Sequence, residues 1–450
     1  RGSLAINNDA FEVRASHVSL ENMAIRDAYR GVYVLSNQGV NVSGVLVYSN
    51  VFGVVVDQVS SGLVRNIRAW NNTSGGVDLV KSSELRLQNM TLVNNRNFGL
   101  RANTLTGSNY IRNTIFYIDQ PGQSNPVYAL AGESTAIASP NMFLDYNIYY
   151  FSPSSTTARI YGDNLDLTVW QRSAFRDYRS AVTNPLFAHV EAGDFLPKSQ
   201  AGRYAVGTGW VTDAETSWAV DKGDPASAYD LEPFDNGGRI NIGAFGNTPF
   251  ASVGSTSEFV YARVGNETPF VLTEDDDPYP LVWTVLNVDT TTLVNVQYSG
   301  DGGTEWVNLA TNINLYREYV IFELDPIYNS FKGKWRIIGS GVDTNVYEIN
   351  DGVIQMYFAP EFRISDIQGT TGGVRTITFP GAWDEDYILE RATPGDYDRF
   401  TQSYHWTNIF SGPTNLTLGG STVFVDQTST NEEKRLYRVI WLGTNGVPFQ

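Results

Sequence analysis

The sequence predicts an all-β protein, a parallel β-solenoid followed by two β-sandwich domains. Three observations predict it. A repeat of about 22 residues runs through the first 120 positions. Short alternating apolar runs, broken by Asn, Gly and Ser, take the place of any helical period. The charge also changes character near residue 250: residues 1–250 hold 19 Lys/Arg and 22 Asp/Glu (19 − 22 = −3), and residues 251–450 hold 12 and 26 (12 − 26 = −14).

The repeat comes first in the chain. Asn22, Gly44, Asn66, Asn89 and Asn113 follow one another at intervals of 22, 22, 23 and 24. Gly31, Gly53, Gly75 and Gly99 form a second series, each followed by a short β-patterned run such as Val32-Tyr33-Val34 or Val54-Val55-Val56. Two or three such runs fit one coil of a parallel solenoid. A leucine-rich repeat shares the length but needs a Leu framework that is not seen. Coils stack about 4.8 Å apart, so equivalent residues form ladders. Apolar ladders fill the interior. The Asn series predicts side-chain amides bonded from coil to coil at a turn. Asn71-Asn72 and Asn94-Asn95 read as turn ladders as well.

These coils resemble right-handed parallel β-helix proteins, the fold of pectate lyases and many bacterial surface proteins. Asp145-Tyr146-Asn147-Ile148-Tyr149-Tyr150, Asn184-Pro185-Leu186-Phe187, Asp221-Lys222-Gly223-Asp224-Pro225 and the run from Gly237 to Thr248 resemble the closing coils of secreted bacterial members. The resemblance spans 1–252 and implies a fold rather than a reaction. Irregular coils after 120 are expected to cap the open end. Ile240, Ile242 and Ala244 alternate as a last half-buried strand.

Residues 251–257 are small and polar, a linker. Residues 258–361 then read as a β-sandwich. A hairpin joins Leu293–Tyr298 to Trp306-Val307 through Gly300-Asp301-Gly302-Gly303, with Trp306 as a bulky core residue. The stretch from Tyr298 to Trp306 resembles immunoglobulin-like modules of large bacterial extracellular proteins. Residues 363–450, with strands at Val374–Phe379, Tyr387–Arg391 and Leu436–Trp441, resemble a fibronectin type III-like sandwich, Tyr437 being the candidate tyrosine-corner residue.

Composition removes several functions. There is no Cys, hence no disulfide scaffold and no thiolate metal site. His17, His189 and His405 are too scattered for a His-rich site. A net charge of −17 argues against nucleic acid. No apolar run is long enough for a membrane span.

Chemistry is sparse. β-Helix glycosidases of the polygalacturonase type carry an Asn-Thr-Asp strand and a Gly-His-Gly turn. Here Asn113-Thr114 is followed by Ile115, and no Gly-His-Gly occurs. Asp57 and Asp78 share a face at best as strand residues. A lyase needs a cation and a base; Arg65 and Arg112 occupy equivalent slots, with Gln88 between them and Glu21 two coils earlier. Such a stripe suits an acidic glycan, or is an exposed strand with paired charges. Tyr33, Tyr48, Trp70 and Phe98 suit sugar stacking, or form an aromatic ladder within the solenoid. The glycan-binding candidates are therefore Arg65, Trp70, Arg112 and Tyr48. The acidic loop Glu274-Asp275-Asp276-Asp277 and Asp301 are the calcium candidates, with Asp343-Thr344-Asn345 a further loop; a solvated loop is the reading favoured for each singly. No other cofactor is suggested.

The sequence thus points to a secreted or cell-surface structural or adhesive protein. Its expected partners are polysaccharide, other surface proteins or copies of itself. The start at Arg1, already inside a repeat, reads as a piece of a longer multi-module chain. The alternatives are a polysaccharide lyase or glycoside hydrolase acting on the β-helix flank, and a non-catalytic glycan-binding module.

Overall fold

In the computed structural model, left-handed backbone positions set the shape of each coil. The structure describes residues 8–357 except 138, 164–165, 235, 267–269, 326–327 and 342–344, and beyond 357 only the strands lying between 366 and 441. Asn22, Gly44, Asn66, Asn89, Asn113 and Tyr146 all have φ between 54° and 66°, apart from Asn66 at 53°. Asn and Gly tolerate this region better than other residues do, which explains the series in the sequence. Each bends the chain so that one long strand serves two walls of the coil. Ser60–Trp70 and Ser83–Val93 are such strands.

The solenoid, of about five turns, consists of two parallel sheets. The seven-stranded sheet runs from Phe11–Val13 through Arg30–Leu35, Phe52–Asp57, Gly75–Val80, Phe98–Asn103 and Val127–Gly132 to Ala158–Arg159. The eleven-stranded sheet holds the bent strands and runs from Ser19–Glu21 to Ala181–Val182. Register places apolar residues in three interior columns: Val13, Val34, Val56, Leu79 and Ala102; Leu20, Val42, Val64, Leu87, Ile111 and Leu144; Ile25, Val47, Ala69, Leu92, Phe116 and Tyr149. Apart from the half-buried Leu20, all are buried. Each aliphatic side chain so placed contributes about 1.5–3 kcal/mol.

Two ladders differ from the expectation. The glycine column is Gly31, Gly53, Gly76 and Gly99, not Gly75, because one extra residue enters that coil and sets Gly75 opposite Phe52 and Phe98. A Cβ at Gly53 would lie 2.4 Å from the Gly76 carbonyl, and one at Gly76 would lie 2.6 Å from that of Gly99. The expected turn ladder at Asn72 and Asn95 is present and extends to Asn50, and it, not the Asn66 series, carries the coil-to-coil amide bonds. The Asn50 N–H donates to Asn72 Oδ1 (3.1 Å), and Asn72 Nδ2 donates to Asn95 Oδ1 (2.8 Å). Asn66, Asn89 and Asn113 donate their amides to a later segment of the chain instead.

The open end is capped by more than irregular coil. Asp166 caps a helix at Leu167–Ala174, accepting from the Thr168 N–H at 2.6 Å, and Phe175 ends it in the left-handed region. Trp170 from this helix closes the interior, 1 % exposed. Beneath it, buried Asp177 accepts from Trp170 Nε1 (3.0 Å), Asn147 Nδ2 (3.2 Å), the Tyr149 hydroxyl and the Ser180 hydroxyl. Ile240, Ile242 and Ala244 are buried but do not form a strand. Their segment lies against the solenoid wall and bonds both to side chains of the coils and to the Asn113 backbone carbonyl.

The chain divides into two compact units, 1–259 with 284–289, and 260–283 with 290–450. Phe259–Ala262, Tyr279–Leu286 and Tyr319–Phe322 form a three-stranded sheet, the last two paired antiparallel, and a six-stranded sheet of the second unit carries the expected hairpin Leu293–Ser299/Val307–Asn314. Tyr298, Trp283 and Trp335 fill the core here. Trp306 does not; it is half-buried, with the Arg336 guanidinium 4.0 Å from its ring centroid. Later come two three-stranded antiparallel sheets, consistent with a second sandwich. The expected boundary at 361–363, Asp343-Thr344 and His405 lie outside the described residues. The Tyr437 hydroxyl donates to Asp426 Oδ2 at 2.9 Å.

Candidate functional site

The outward face of the eleven-stranded sheet holds the polar stripe. One column reads Glu21, Ser43, Arg65, Gln88, Arg112 and Asp145, and the column beside it reads Ser19, Asn41, Leu63, Arg86, Tyr110 and Phe143. Arg65 and Arg112 do share a slot, with Gln88 between them. Alternation puts these residues outside because their neighbours Val42, Val64, Leu87 and Ile111 go inside.

A later segment of the same unit covers part of this face. Asn66 Nδ2 donates to the Ala244 and Gly246 carbonyls at 2.9 and 2.8 Å. One coil on, Asn89 Nδ2 donates to the carbonyls of Asn241 (3.1 Å) and Gly243 (3.3 Å). On the third rung Asn113 Oδ1 accepts the Asp224 N–H at 2.8 Å, and Arg112 is paired with the Asp224 carboxylate. Residues 217–254 are thus fastened over three successive Asn rungs.

The aromatic candidates are also covered. Tyr48 and Trp70 stack at 4.4 Å and 9° on the outer wall. Phe195 approaches the Trp70 ring edge-on at 5.3 Å, and Gly193 lies against it so closely that a Cβ there would sit 2.8 Å away. An aromatic ladder therefore exists, but on the outside of the wall under the hairpin Phe187–His189/Asp194–Pro197. Tyr33 and Phe98 belong to the other sheet and do not join it.

The uncovered part is a groove of about 600 Å³ whose lining includes Asn41, Leu63, Glu84, Arg86, Gln88 and Tyr110. Phe143 extends it, stacking on Tyr110 at 4.8 Å and 15°. Arg65 lies beside it, aligned with Gln88. Among the described residues neither Arg65 nor Arg86 has an acid partner, and the Arg65 Nε is buried without a hydrogen bond. The nearby acids are engaged. Glu21 accepts from Asn41 Nδ2 (3.1 Å), and Glu84 accepts from the Ser108 N–H (2.9 Å). Asp57 and Asp78 do share the outer face of the other sheet, yet Asp78 holds Arg101 and Asp57 holds the Tyr33 hydroxyl. Sequence reasoning missed Arg86, Tyr110 and Phe143; their shared spacing of 24 and 33 residues lies in coils of unequal length.

The acidic loops are bonded within the chain. Asp276 Oδ2 accepts from the N–H and hydroxyl of Thr273, and Asp277 Oδ1 accepts from the Leu324 N–H. Asp301 accepts from the Ser299 hydroxyl and from the Thr304 and Glu305 N–H groups. Burial would raise its carboxyl, but these bonds outweigh that and hold it below the usual range. Asp275 is exposed. Among the described residues no group of three or more His, Asp or Glu is gathered for a metal ion. None of the described helices is long and apolar enough to cross a membrane.

Comparison with known proteins agrees with the coils. Residues 4–141 match the family described as a right handed beta helix region. Such regions are found in polysaccharide-active and in adhesive proteins. No curated protein matches the chain.

Proposed function

We propose that the chain is a structural and adhesive protein of the cell surface or extracellular space, whose solenoid holds an acidic glycan on its uncovered flank without cleaving it. The observation that carries this reading is the pair of acid-free arginines, Arg65 and Arg86, beside the stacked Tyr110 and Phe143. Guanidinium groups bind carboxylate or sulfate oxygens in a fork, and an aromatic pair offers a flat apolar surface to a sugar ring. A parallel solenoid presents these groups on a fixed lattice, so the ordering cost of binding is low. The nearby carboxylates, which hydrolysis would require as an opposed pair, are held by hydrogen bonds to Asn41 and the Ser108 N–H.

The test is binding of acidic and neutral oligosaccharides to the wild type and to the Arg65→Ala/Arg86→Ala double variant. Each arginine is expected to account for about tenfold in affinity for the acidic ligands, since exposed charge pairs contribute about 1 kcal/mol and guanidinium forks somewhat more. Binding that is unchanged in the double variant, or equal for neutral ligands, would remove the proposal.

A further inference from the structure

Of the buried carboxyl groups inside the segment that covers the Asn rungs, Asp224 is paired with Arg112, and Asp221 and Glu232 are the other two among the described residues. Asp221 is 1 % exposed and Glu232 is 8 % exposed. Glu232 Oε1 accepts the N–H groups of Asn241 (2.9 Å) and Asn247 (2.8 Å), while Oε2 is buried with no hydrogen-bond partner. Asp221 Oδ2 accepts the Gly237 N–H at 3.1 Å and is gripped between Gly237 and Gly254, where a Cβ would come within 2.4 and 1.4 Å of it. Its Oδ1 is buried with no partner either. Both acids bear on one residue. The Asp221 N–H donates to Asn241 Oδ1, the Asn241 N–H donates to Glu232, and the Asn241 carbonyl accepts from rung residue Asn89. Among the described residues, the charged groups facing Asp221 are Lys222 and the buried Arg239, and the one facing Glu232 is Asp221 itself. A single buried cation therefore stands against two buried acids.

We propose that residues 217–254 form a pH-gated cover over the solenoid flank, shut while Asp221 and Glu232 are neutral and released when they ionise. Release frees the amides of Asn66, Asn89 and Asn113. It also frees Arg112, which stands one coil beyond Gln88 in the column of Arg65, from Asp224. The cover thus withholds the third arginine of the stripe. Burial raises the Glu232 carboxyl to about 8 and the Asp221 carboxyl to about 7, against Lys222 and Arg239 in the latter case. The sign follows directly. Raised carboxyls stabilise the closed form at low pH, and that contribution is lost as pH rises through 7 to 8.

Hydrogen exchange of the full chain at pH 6 and pH 9, corrected for intrinsic rates, tests this. Amides in 217–247 should lose protection by on the order of a hundredfold or more, because the open form ionises some three units lower per group. The interior strands Gly75–Val80 and Phe98–Asn103 should keep theirs. Glu232→Gln retains an oxygen for the Asn241 and Asn247 N–H groups and should flatten most of the pH dependence; Asp221→Asn should flatten part of it. A wild-type cover as well protected at pH 9 as at pH 6 would overturn the proposal. So would an equal loss in wild type and a folded Glu232→Gln protein.

Discussion

Asn72 is the residue on which the interior amide ladder depends most. It is 1 % exposed, and its side chain serves both neighbouring coils. Oδ1 accepts the Asn50 N–H at 3.1 Å, while Nδ2 donates to Asn95 Oδ1 at 2.8 Å and to the Val47 carbonyl at 3.3 Å. Asn72→Ala removes all three bonds. Each net bond is worth about 1 kcal/mol, and the Asn50 N–H is left buried without a partner at a further cost of about 1 kcal/mol or more, so about 3–4 kcal/mol is expected in total. The neighbouring Asn71 is an internal control. It is exposed with φ 52°, so its role is conformational, and Asn71→Gly should change stability by under about 0.5 kcal/mol. The assay is native-state hydrogen exchange across Phe52–Asp57 and Gly75–Val80, in denaturant, on the full chain. Both strands should open together at lower denaturant in Asn72→Ala. A loss below 1 kcal/mol would refute the ladder as a stabilising element, and an Asn71→Gly loss of equal size would show that the turn, not the amide, matters.

Two further outcomes follow from the same coils. Gly76→Ala places a methyl 2.6 Å from the Gly99 carbonyl and 2.9 Å from Asn95 Nδ2, so coil stacking must shift, at about 1–3 kcal/mol; Gly75→Ala meets only the movable Phe98 ring, and a larger loss there than at Gly76 in thermal unfolding would contradict the register. Asp177→Ala leaves four buried donors, from Tyr149, Trp170, Asn147 and Ser180, without their acceptor and should cost about 4 kcal/mol, read as early exposure of Trp170 in fluorescence-monitored denaturation; a two-phase curve with an unchanged first midpoint would contradict it.

The coils were legible because their rules are local. A left-handed bend selects Asn or Gly, and an interior position selects Val, Leu or Ile, so Asn22 to Asn113 and the valine runs mark every turn. The slip from Gly76 to Gly75 shows the limit: two adjacent glycines satisfy the same spacing, and only the register against Phe52 and Phe98 separates them. The helix at Leu167–Ala174 escaped notice because eight residues give barely two turns of pattern. The site was less legible still. Trp70 and Arg112 have the side chains of a binding surface, yet Gly193 and Phe195 close over one and Asp224 pairs with the other. These contacts join positions more than 100 residues apart, and no local pattern encodes them. The groove at Arg86 and Tyr110 became visible only once register put them beside Arg65.

The proposed function requires that the flank bind acidic glycan and leave it intact. One titration tests it most directly: the wild-type chain against a set of acidic and neutral polysaccharides, with affinity, reducing ends and unsaturated uronate measured on the same samples. Binding confined to the acidic members, weakened by salt and with no new ends formed, is the expected result. New reducing ends or unsaturated uronate from any member, or binding that ignores ligand charge, would contradict it.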